Sequence, residues 1–191
     1  KNISLMAQPT YKSRVKSFES YYRKVLRLKQ NEMVDTNSLI YLTDMMGIRM
    51  ICAFLEDINL AVEQLKEIFE VKEAEIKGAD KKFSEFGYES VHVLIKIPDS
   101  CMPKFEGKFK NLKKVSDEIV CEIQIRTIAE HAWAETEHEY IYKGPDGIPN
   151  STRRIFARLL ALIELVDDEL NRGVESVAEL ESFARHHLIK F

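Results

Sequence analysis

Along this chain, segments whose apolar residues repeat with a helical period alternate with segments that have the pattern of a strand. After Ser17, apolar residues follow at spacings of four and three, which predicts a helix that Ser17 caps and that ends near Gln30. A second stripe of this kind follows Asp57 and predicts an amphipathic helix with Asp57 as its N-cap. The second helix is expected to bury one face.

Strands are predicted where apolar and polar residues alternate or where β-branched residues cluster. These segments are Gly47–Phe54, Val71–Ile76, Tyr88–Ile97 and Ile119–Thr127. Three further helical patterns complete the chain, and they are Ile128–Tyr142, Ser151–Asn171 and about Val174–Ile189. The order of these elements predicts an α+β fold.

The composition limits the class of protein. With 191 residues, of which 45% are apolar and 31% charged, residues 1–191 are expected to form one globular domain. No apolar run approaches the roughly 20 residues that cross a bilayer, so no membrane partner is expected. The cysteines are odd in number and widely spaced, which favours the cytoplasm over a disulfide framework: Cys52, Cys101 and Cys121.

The formal net charge of −3 gives no general attraction for nucleic acid, so local clusters of lysine and arginine must hold any anionic ligand. One basic group surrounds the start of the first predicted helix: Arg14, Lys16 and Lys24, together with Ser20. Such a group forms either a solvated helix face or a phosphate site, since a helix N-terminus adds backbone donors to the side-chain charge. The chain contains neither a G-x-x-x-x-G-K-[ST] loop nor a G-x-G-x-x-G turn, so charged side chains must take their place.

Two predicted strands carry polar side chains on one face. In the last strand, alternation places three polar groups side by side, Glu122, Gln124 and Arg126. In the strand before it, Tyr88 and His92 share a face. A solvated sheet surface explains each strand alone, whereas two neighbouring polar faces predict a cleft.

Four separated blocks of the sequence carry a resemblance to a known family. In chain order they are Arg14-x-Lys16-x-x-x-Ser20-x-x-x-Lys24, Asp44-x-x-Gly47-Ile48-Arg49, Gly87-Tyr88-Glu89-Ser90-Val91-His92 and Glu122-Ile123-Gln124-Ile125-Arg126-Thr127. In identity and in order they resemble the synthetase domain of the RelA/SpoT homologues, particularly the single-domain small alarmone synthetases. The resemblance makes about 11–143 the catalytic core and about 151–189 a region of C-terminal helices.

The resemblance implies a nucleotidyltransferase-like mixed sheet of about four to five strands flanked by helices. It also implies a Mg²⁺-dependent transfer of pyrophosphate from ATP to the 3′-hydroxyl of GDP or GTP, which yields ppGpp or pppGpp and AMP. The implied catalytic residues and metal ligands are Asp44 and Glu122, and Glu122 is also the implied base. The implied ATP-binding residues are Arg14, Lys16, Ser20, Lys24 and Arg49. The implied acceptor-binding residues are Lys77, Tyr88, His92, Gln124 and Arg126.

The segment Lys77–Phe86 departs from the family, whose familiar members have a run like K-D-Y-I-x-x-P-K-x-N before Gly-Tyr. Of that run only Lys77 is cleanly retained. The departure therefore affects the assignment of the acceptor more than the assignment of ATP. Lys81 and Lys82 are candidates for the missing charge. An adenine nucleotide or the 3′ end of tRNA therefore stays open as the acceptor beside a guanine nucleotide.

Two other classes of function stay open at this point. A catalytically silent sensor would bind ATP or an alarmone without turnover, although a binder has little use for a metal pair such as Asp44 and Glu122. An RNA-binding module would need a broad basic surface and clustered exposed aromatic residues, which the sequence does not indicate. The C-terminal helices have broad apolar faces, which either complete the core or join copies of the chain into a homo-oligomer such as a tetramer.

Overall fold

The computed structural model describes residues 5–30, 42–77, 90–101, 119–142 and 148–188. Within these ranges five strands form one sheet: β1 (Thr10–Val15), β2 (Met46–Cys52), β3 (Val71–Lys77), β4 (Ser90–Lys96) and β5 (Val120–Thr127). The α-helices of the same ranges are α1 (Phe18–Gln30), α2 (Leu55–Ile68), α3 (Ile128–Glu137) and α4 (Asn150–Leu188). The predicted helix that begins at Ile128 is confirmed as α3, and it continues as a π-helical turn over His138–Tyr142.

The strands lie side by side in the order β1-β2-β5-β4-β3. The pair β2 and β5 is parallel, whereas the other neighbouring pairs are antiparallel. The sheet is therefore mixed, and the predicted α+β fold with about four to five strands is confirmed.

One face of the sheet is apolar because alternate residues of its central strands are apolar. Met50, Val93 and Ile125 are almost completely buried on this face, and α2 covers it with Ala61 and Leu65. Successive side chains of a strand point to opposite faces. Burial of the apolar residues therefore determines which side chains form the polar face.

β1 is a strand that the sequence analysis did not predict. It lies at an edge of the sheet, and all six of its residues are exposed, so no buried alternation marks it. Beyond its pairing with β2, the backbone N–H of Lys16 donates to the carbonyl of Met45 at 2.8 Å. This arrangement brings the N-terminal basic residues next to β2.

The two predicted helix caps have different outcomes. Ser17 caps α1, because its Oγ accepts a hydrogen bond from the backbone N–H of Ser20 at 3.3 Å. Asp57 is not the N-cap of α2, so that prediction is wrong: Phe54 occupies the cap position and makes no side-chain cap hydrogen bond. Asp57 lies buried in the first turn, where its Oδ1 accepts from the backbone N–H of Met6 at 2.8 Å. Its partner is the N-terminal segment instead of its own helix end.

The two predicted C-terminal helices form a single helix, α4, of 39 residues. The expected break between Asn171 and Val174 is wrong. Gly173 lies inside α4, where a glycine costs about 1 kcal/mol relative to alanine but interrupts no backbone hydrogen bond. Among the described helices, none combines the length and the apolar character that a membrane span requires.

Candidate active site

The register of the sheet brings the polar residues of three strands together. Gly47 of β2 lies opposite Glu122 of β5, and Arg49 lies opposite Gln124. On the other side of β5, His92 of β4 also lies opposite Gln124. Directly opposite residues of neighbouring strands have Cβ atoms about 4.5–5.5 Å apart, so their side chains can touch. The polar side chains expected on one face of two neighbouring strands are thus found on one face of three.

Glu122 lies at the centre of this face, and its side chain is 14% exposed. Its Oε1 accepts a hydrogen bond from His92 Nδ1 at 2.8 Å, and its Oε2 accepts from Gln124 Nε2 at 3.0 Å. The hydrogen bond from His92 lowers the pKa of Glu122, and with the bond from Gln124 it outweighs burial and the charge of Asp44, which raise it. Glu122 is therefore ionised at neutral pH.

Asp44 precedes β2 and binds two lysines of the N-terminal basic group. Its Oδ2 accepts hydrogen bonds from Lys16 Nζ at 2.5 Å and from Lys24 Nζ at 2.9 Å. Burial raises the pKa of Asp44, but the two lysine hydrogen bonds outweigh burial and lower the pKa overall. The other oxygen, Oδ1, is buried and has no hydrogen-bond partner among the described residues.

Asp44 and Glu122 suit a divalent cation that prefers oxygen ligands. They are close enough for the charge of Asp44 to raise the pKa of Glu122, and Asp44 Oδ1 is a buried acceptor without a donor in the described ranges. Mg²⁺ is usually bound by one or two carboxylates, with waters and substrate phosphates as its other ligands. The parts of the chain that the structure describes contain no cluster of three or more metal-binding side chains.

A cleft of about 340 Å³ opens on the polar face beside Glu122, and Arg14 and Arg49 both line it. A Cβ atom at Gly47 would lie 3.7 Å from the side chain of Arg14, so the two residues are in close contact. Because glycine has no side chain, the Arg14 side chain can lie next to the β2 backbone at this point. Arg14 itself is exposed and forms no ion pair with another described residue. The cleft is therefore cationic along its β1 side.

The Arg49 guanidinium is held from two directions. Its Nε donates to Gln124 Oε1 at 3.4 Å, and its Nη1 forms an ion pair with Glu135 of α3. Gln124 Oε1 also accepts from Arg126 Nη2 at 2.9 Å. Because both arginines donate to Oε1, the amide nitrogen of Gln124 is directed to Glu122. A continuous network thus links the mouth of the cleft to the central carboxylate.

Of the remaining residues of the predicted site, the structure describes Ser20 and Lys77 but not Tyr88. Ser20 lies on the exposed surface of α1, where its Oγ accepts a hydrogen bond from Ser17 Oγ at 2.9 Å. Lys77 is the last residue of β3, which pairs with β4. Tyr88 and the segment 78–86 lie outside the described residues, so their assignment to the acceptor stays a prediction.

Three residues around the cleft were not predicted from the sequence: Lys12, His131 and Glu135. Lys12 Nζ lies 3.1 Å from His131 Nε2. Burial lowers the pKa of His131 and the charge of Lys12 lowers it further, so the neutral imidazole accepts from the ammonium group. A spacing of four residues puts His131 and Glu135 on one face of α3, and this spacing was the signal available in the sequence.

Solved structures show where this fold occurs. Small alarmone synthetase 1 from Bacillus subtilis is 27% identical, with a TM-score of 0.67, over 88% of this chain and 80% of that one. The same protein bound to its product pppGpp is 26% identical, with a TM-score of 0.64, over 88% of this chain and 78% of that one. The fold is therefore that of the small alarmone synthetases.

The family itself is identified by the sequence. The model described as a region found in RelA / SpoT proteins matches residues 13–146, so the chain belongs to the RelA/SpoT family. GTP pyrophosphokinase YwaC from Bacillus subtilis (strain 168) is 31% identical over 159 residues, which are 83% of this chain and 70% of YwaC. The resemblance carried by the four sequence blocks is confirmed.

Proposed function

We propose that the protein transfers a pyrophosphate group from ATP to the 3′-hydroxyl of GDP or GTP, with ppGpp or pppGpp and AMP as products. The observation that carries the proposal is the pair of ionised carboxylates, Asp44 and Glu122, in a chain of the RelA/SpoT family, with Glu122 lining a cleft that Arg14 and Arg49 also line. A relative is named a GTP pyrophosphokinase, and one solved neighbour is bound to its product pppGpp. Both names support a guanine nucleotide as the acceptor.

In this reaction the acceptor 3′-oxygen attacks the β-phosphorus of ATP. The bond from that phosphorus to the oxygen bridging the α- and β-phosphates breaks, and AMP leaves with the bridging oxygen. The hydroxyl proton passes to Glu122 in this proposal, whose carboxylate is oriented by hydrogen bonds from His92 and Gln124. The remaining work of the site is positioning and charge stabilisation.

Asp44 and Glu122 would hold Mg²⁺, which when bound neutralises phosphate charge and orients the phosphates. Lys16 and Lys24 both bind Asp44 Oδ2 through Nζ. Both ammonium groups are within reach of a ligand at that carboxylate, so phosphate oxygens can replace Asp44 as their partners. The two lysines would thus act first as counter-ions of Asp44 and then as ligands of the triphosphate.

The nucleotides would approach the site from opposite sides of β5. Arg14 and Arg49, on β1 and β2, would hold the ATP base between planar guanidinium groups, which lysine could not imitate. Ser20 would bind a phosphate at the start of α1. His92 lies on β4, on the other side of Glu122, so we place the acceptor there. Arg126, Lys77 and Tyr88 complete the proposed acceptor site.

The identity of the acceptor is tested with ATP, Mg²⁺ and one acceptor at a time, namely GDP, GTP, ADP or tRNA. We expect AMP to appear with GDP and GTP, because the relatives with known names and ligands use guanine nucleotides. Release of AMP with ADP alone or with tRNA alone would replace the guanine acceptor. Binding of ATP without AMP release from any acceptor would favour a silent sensor.

We also propose that the protein is a homo-oligomer such as a tetramer. α4 exposes a long series of apolar side chains: Ile155, Leu159, Leu162, Leu165, Val166, Leu170, Val177 and Leu180. An apolar surface of this extent is usually covered by another molecule. Symmetric contact with a second copy would bury it.

A cytoplasmic location is part of the same proposal. It is supported by three cysteines without a disulfide bond, Cys52, Cys101 and Cys121. Thiols of this kind are typical of a reducing compartment.

A further inference from the structure

Glu135 is a charged residue of the cleft that the proposed reaction does not use. Its carboxylate forms an ion pair with Arg49 Nη1, although the two residues are 86 positions apart in the sequence. The side chain of Glu135 is 49% exposed and that of Arg49 is 26% exposed. The pair therefore lies at the mouth of the cleft, with Glu135 on its solvent side.

The two arginines of the cleft are held differently. Arg49 donates from Nε to Gln124 and from Nη1 to Glu135, so its guanidinium is anchored at two separate nitrogens. Arg14 is exposed and has no ion pair within the described ranges. One arginine is thus fixed before a nucleotide arrives, whereas the other is free to adjust to it.

The geometry points to Glu135 as a positioning residue that fixes the guanidinium plane of Arg49 for the base of ATP. This inference rests on the proposed function, in which Arg49 stacks on that base. A planar guanidinium stacks well only when its plane is parallel to the ring. A long side chain that becomes ordered only on binding loses conformational freedom at that moment. Because Glu135 and Gln124 already hold Arg49 in place, less conformational freedom is lost when ATP binds.

Because Glu135 is negatively charged, the direction in which ATP affinity changes on its removal is informative. ATP is an anion, so a carboxylate at the mouth of the cleft repels it, and loss of that charge alone would strengthen binding. Loss of the contact that fixes Arg49 has the opposite effect and weakens binding. The direction of the change therefore separates positioning from simple repulsion.

Equilibrium titration with a non-hydrolysable ATP analogue and Mg²⁺ measures this change without turnover. We expect Glu135→Gln to weaken binding about three- to tenfold, and Glu135→Asp to restore part of the affinity because it keeps the charge. In steady-state transfer, Glu135→Gln should raise KM for ATP more than it lowers kcat. Glu70→Gln is the matched control, since Glu70 forms an exposed ion pair with Lys72 at the opposite edge of the sheet and should bind the analogue normally.

The route through Arg49 is tested by combining substitutions. In an Arg49→Ala background, Glu135→Gln should cause no further weakening, because the contact is already lost. An additive loss there, or unchanged or tighter binding by Glu135→Gln alone, would overturn the inference. Failure of the proposed function is a separate outcome: the unmodified protein would then bind the analogue but transfer nothing, and the titrations would keep their meaning.

Discussion

The two carboxylates at the centre of the site are held by different kinds of donor. Glu122 accepts from His92 and Gln124, which fix its orientation, whereas Asp44 accepts from two lysines, which carry full charges. In both cases the hydrogen bonds lower the carboxyl pKa in spite of burial. A lowered folded-state pKa stabilises the fold above the ordinary carboxyl pKa, and this contribution is lost as the pH falls through the lowered value. The site is thus built for neutral pH and loses its ionic contacts in acid.

Replacement of Lys24 by glutamine should change metal binding and nucleotide binding in opposite directions. Lys24 Nζ lies 2.9 Å from Asp44 Oδ2, so its removal frees an acceptor and relieves repulsion of a cation. Without nucleotide, Mn²⁺ as a probe should bind about two- to fivefold more tightly, while an ATP analogue should bind more weakly. Calorimetric titration measures both constants.

The matched control is Arg23→Gln, since Arg23 also lies on α1 but forms an exposed ion pair with Glu19. It should leave both constants unchanged. Weaker Mn²⁺ binding by Lys24→Gln, or the same changes in the control, would contradict the competition between lysine and cation for Asp44.

At the scale of residues, the sequence indicated candidates where a proposed role needs one particular kind of side chain, such as a carboxylate for a metal ligand. The structure brings Lys16 and Lys24 to Asp44 from a separate part of the chain, and their roles toward ATP and metal stay predictions. Glu135 was not predicted, because its spacing from His131 indicates a shared helix face but not the contact with Arg49, which depends on how α3 lies against β2. Long-range pairs of this kind leave no periodic pattern.

At the scale of elements, Thr127 connects β5 to two helices. Its Oγ1 accepts from the backbone N–H of Glu130 in the first turn of α3 at 3.1 Å and donates to Asp167 Oδ2 of α4 at 2.7 Å. Glu130 Oε2 accepts in return from the backbone N–H of Thr127 at 2.8 Å, which completes a capping box. Because α3 carries Glu135, this junction also orients one wall of the cleft.

The substitution Thr127→Val removes the hydroxyl while keeping the shape of the side chain. We expect it to lower the free energy of unfolding by about 2–4 kcal/mol, since a cap contributes about 1 kcal/mol and an unsatisfied buried polar group costs about 1–3 kcal/mol. Asp167, which is 5% exposed and whose pKa is raised by burial, loses its donor. Urea unfolding of this variant beside Thr127→Ser, which keeps the hydroxyl, measures the effect. Equal stability of the two variants would contradict it.

Elements whose apolar residues repeat with a regular period were predicted, whereas a strand without such a pattern was not. α2 and β5 have apolar residues repeating with the correct period and lie against the core. β1 is entirely exposed, so its pattern contains no signal. α4 was divided at Gly173 because a glycine resembles a helix end in sequence, whereas a single glycine inside a helix lowers its stability without ending it.

At the scale of the whole molecule, the exposed apolar side chains of α4 should determine the state of association. Leu162 is 57% exposed. A charged side chain at this position would be costly to bury between two copies of the chain. Leu162→Lys should therefore weaken the association, and light scattering should show a smaller mass. The control Arg158→Gln changes an exposed residue of the same helix and should keep the assembly. A monomeric unmodified protein would contradict the proposal.

The order of the strands also suggests from which side of β5 the acceptor approaches and towards which side AMP leaves in the proposed reaction. The cleft lies over β1 and β2, and His92 lies on β4, with Glu122 of β5 between them. A phosphorus atom above Glu122 could therefore be approached from the β4 side while its leaving group lies towards β2. In the proposed function, this arrangement would meet the requirement of in-line displacement.

Transfer of an intact pyrophosphate group is the central claim, and the fate of the individual phosphates tests it most directly. The protein would be incubated with GDP, Mg²⁺ and ATP labelled on either the α- or the β-phosphorus. We expect β-label to move to the 3′-position of the guanine nucleotide and α-label to be released in AMP, with both changes lost in a folded Glu122→Gln variant. β-Label that stays in ADP, as transfer of the γ-phosphate alone would leave it, or normal transfer by Glu122→Gln, would contradict the account.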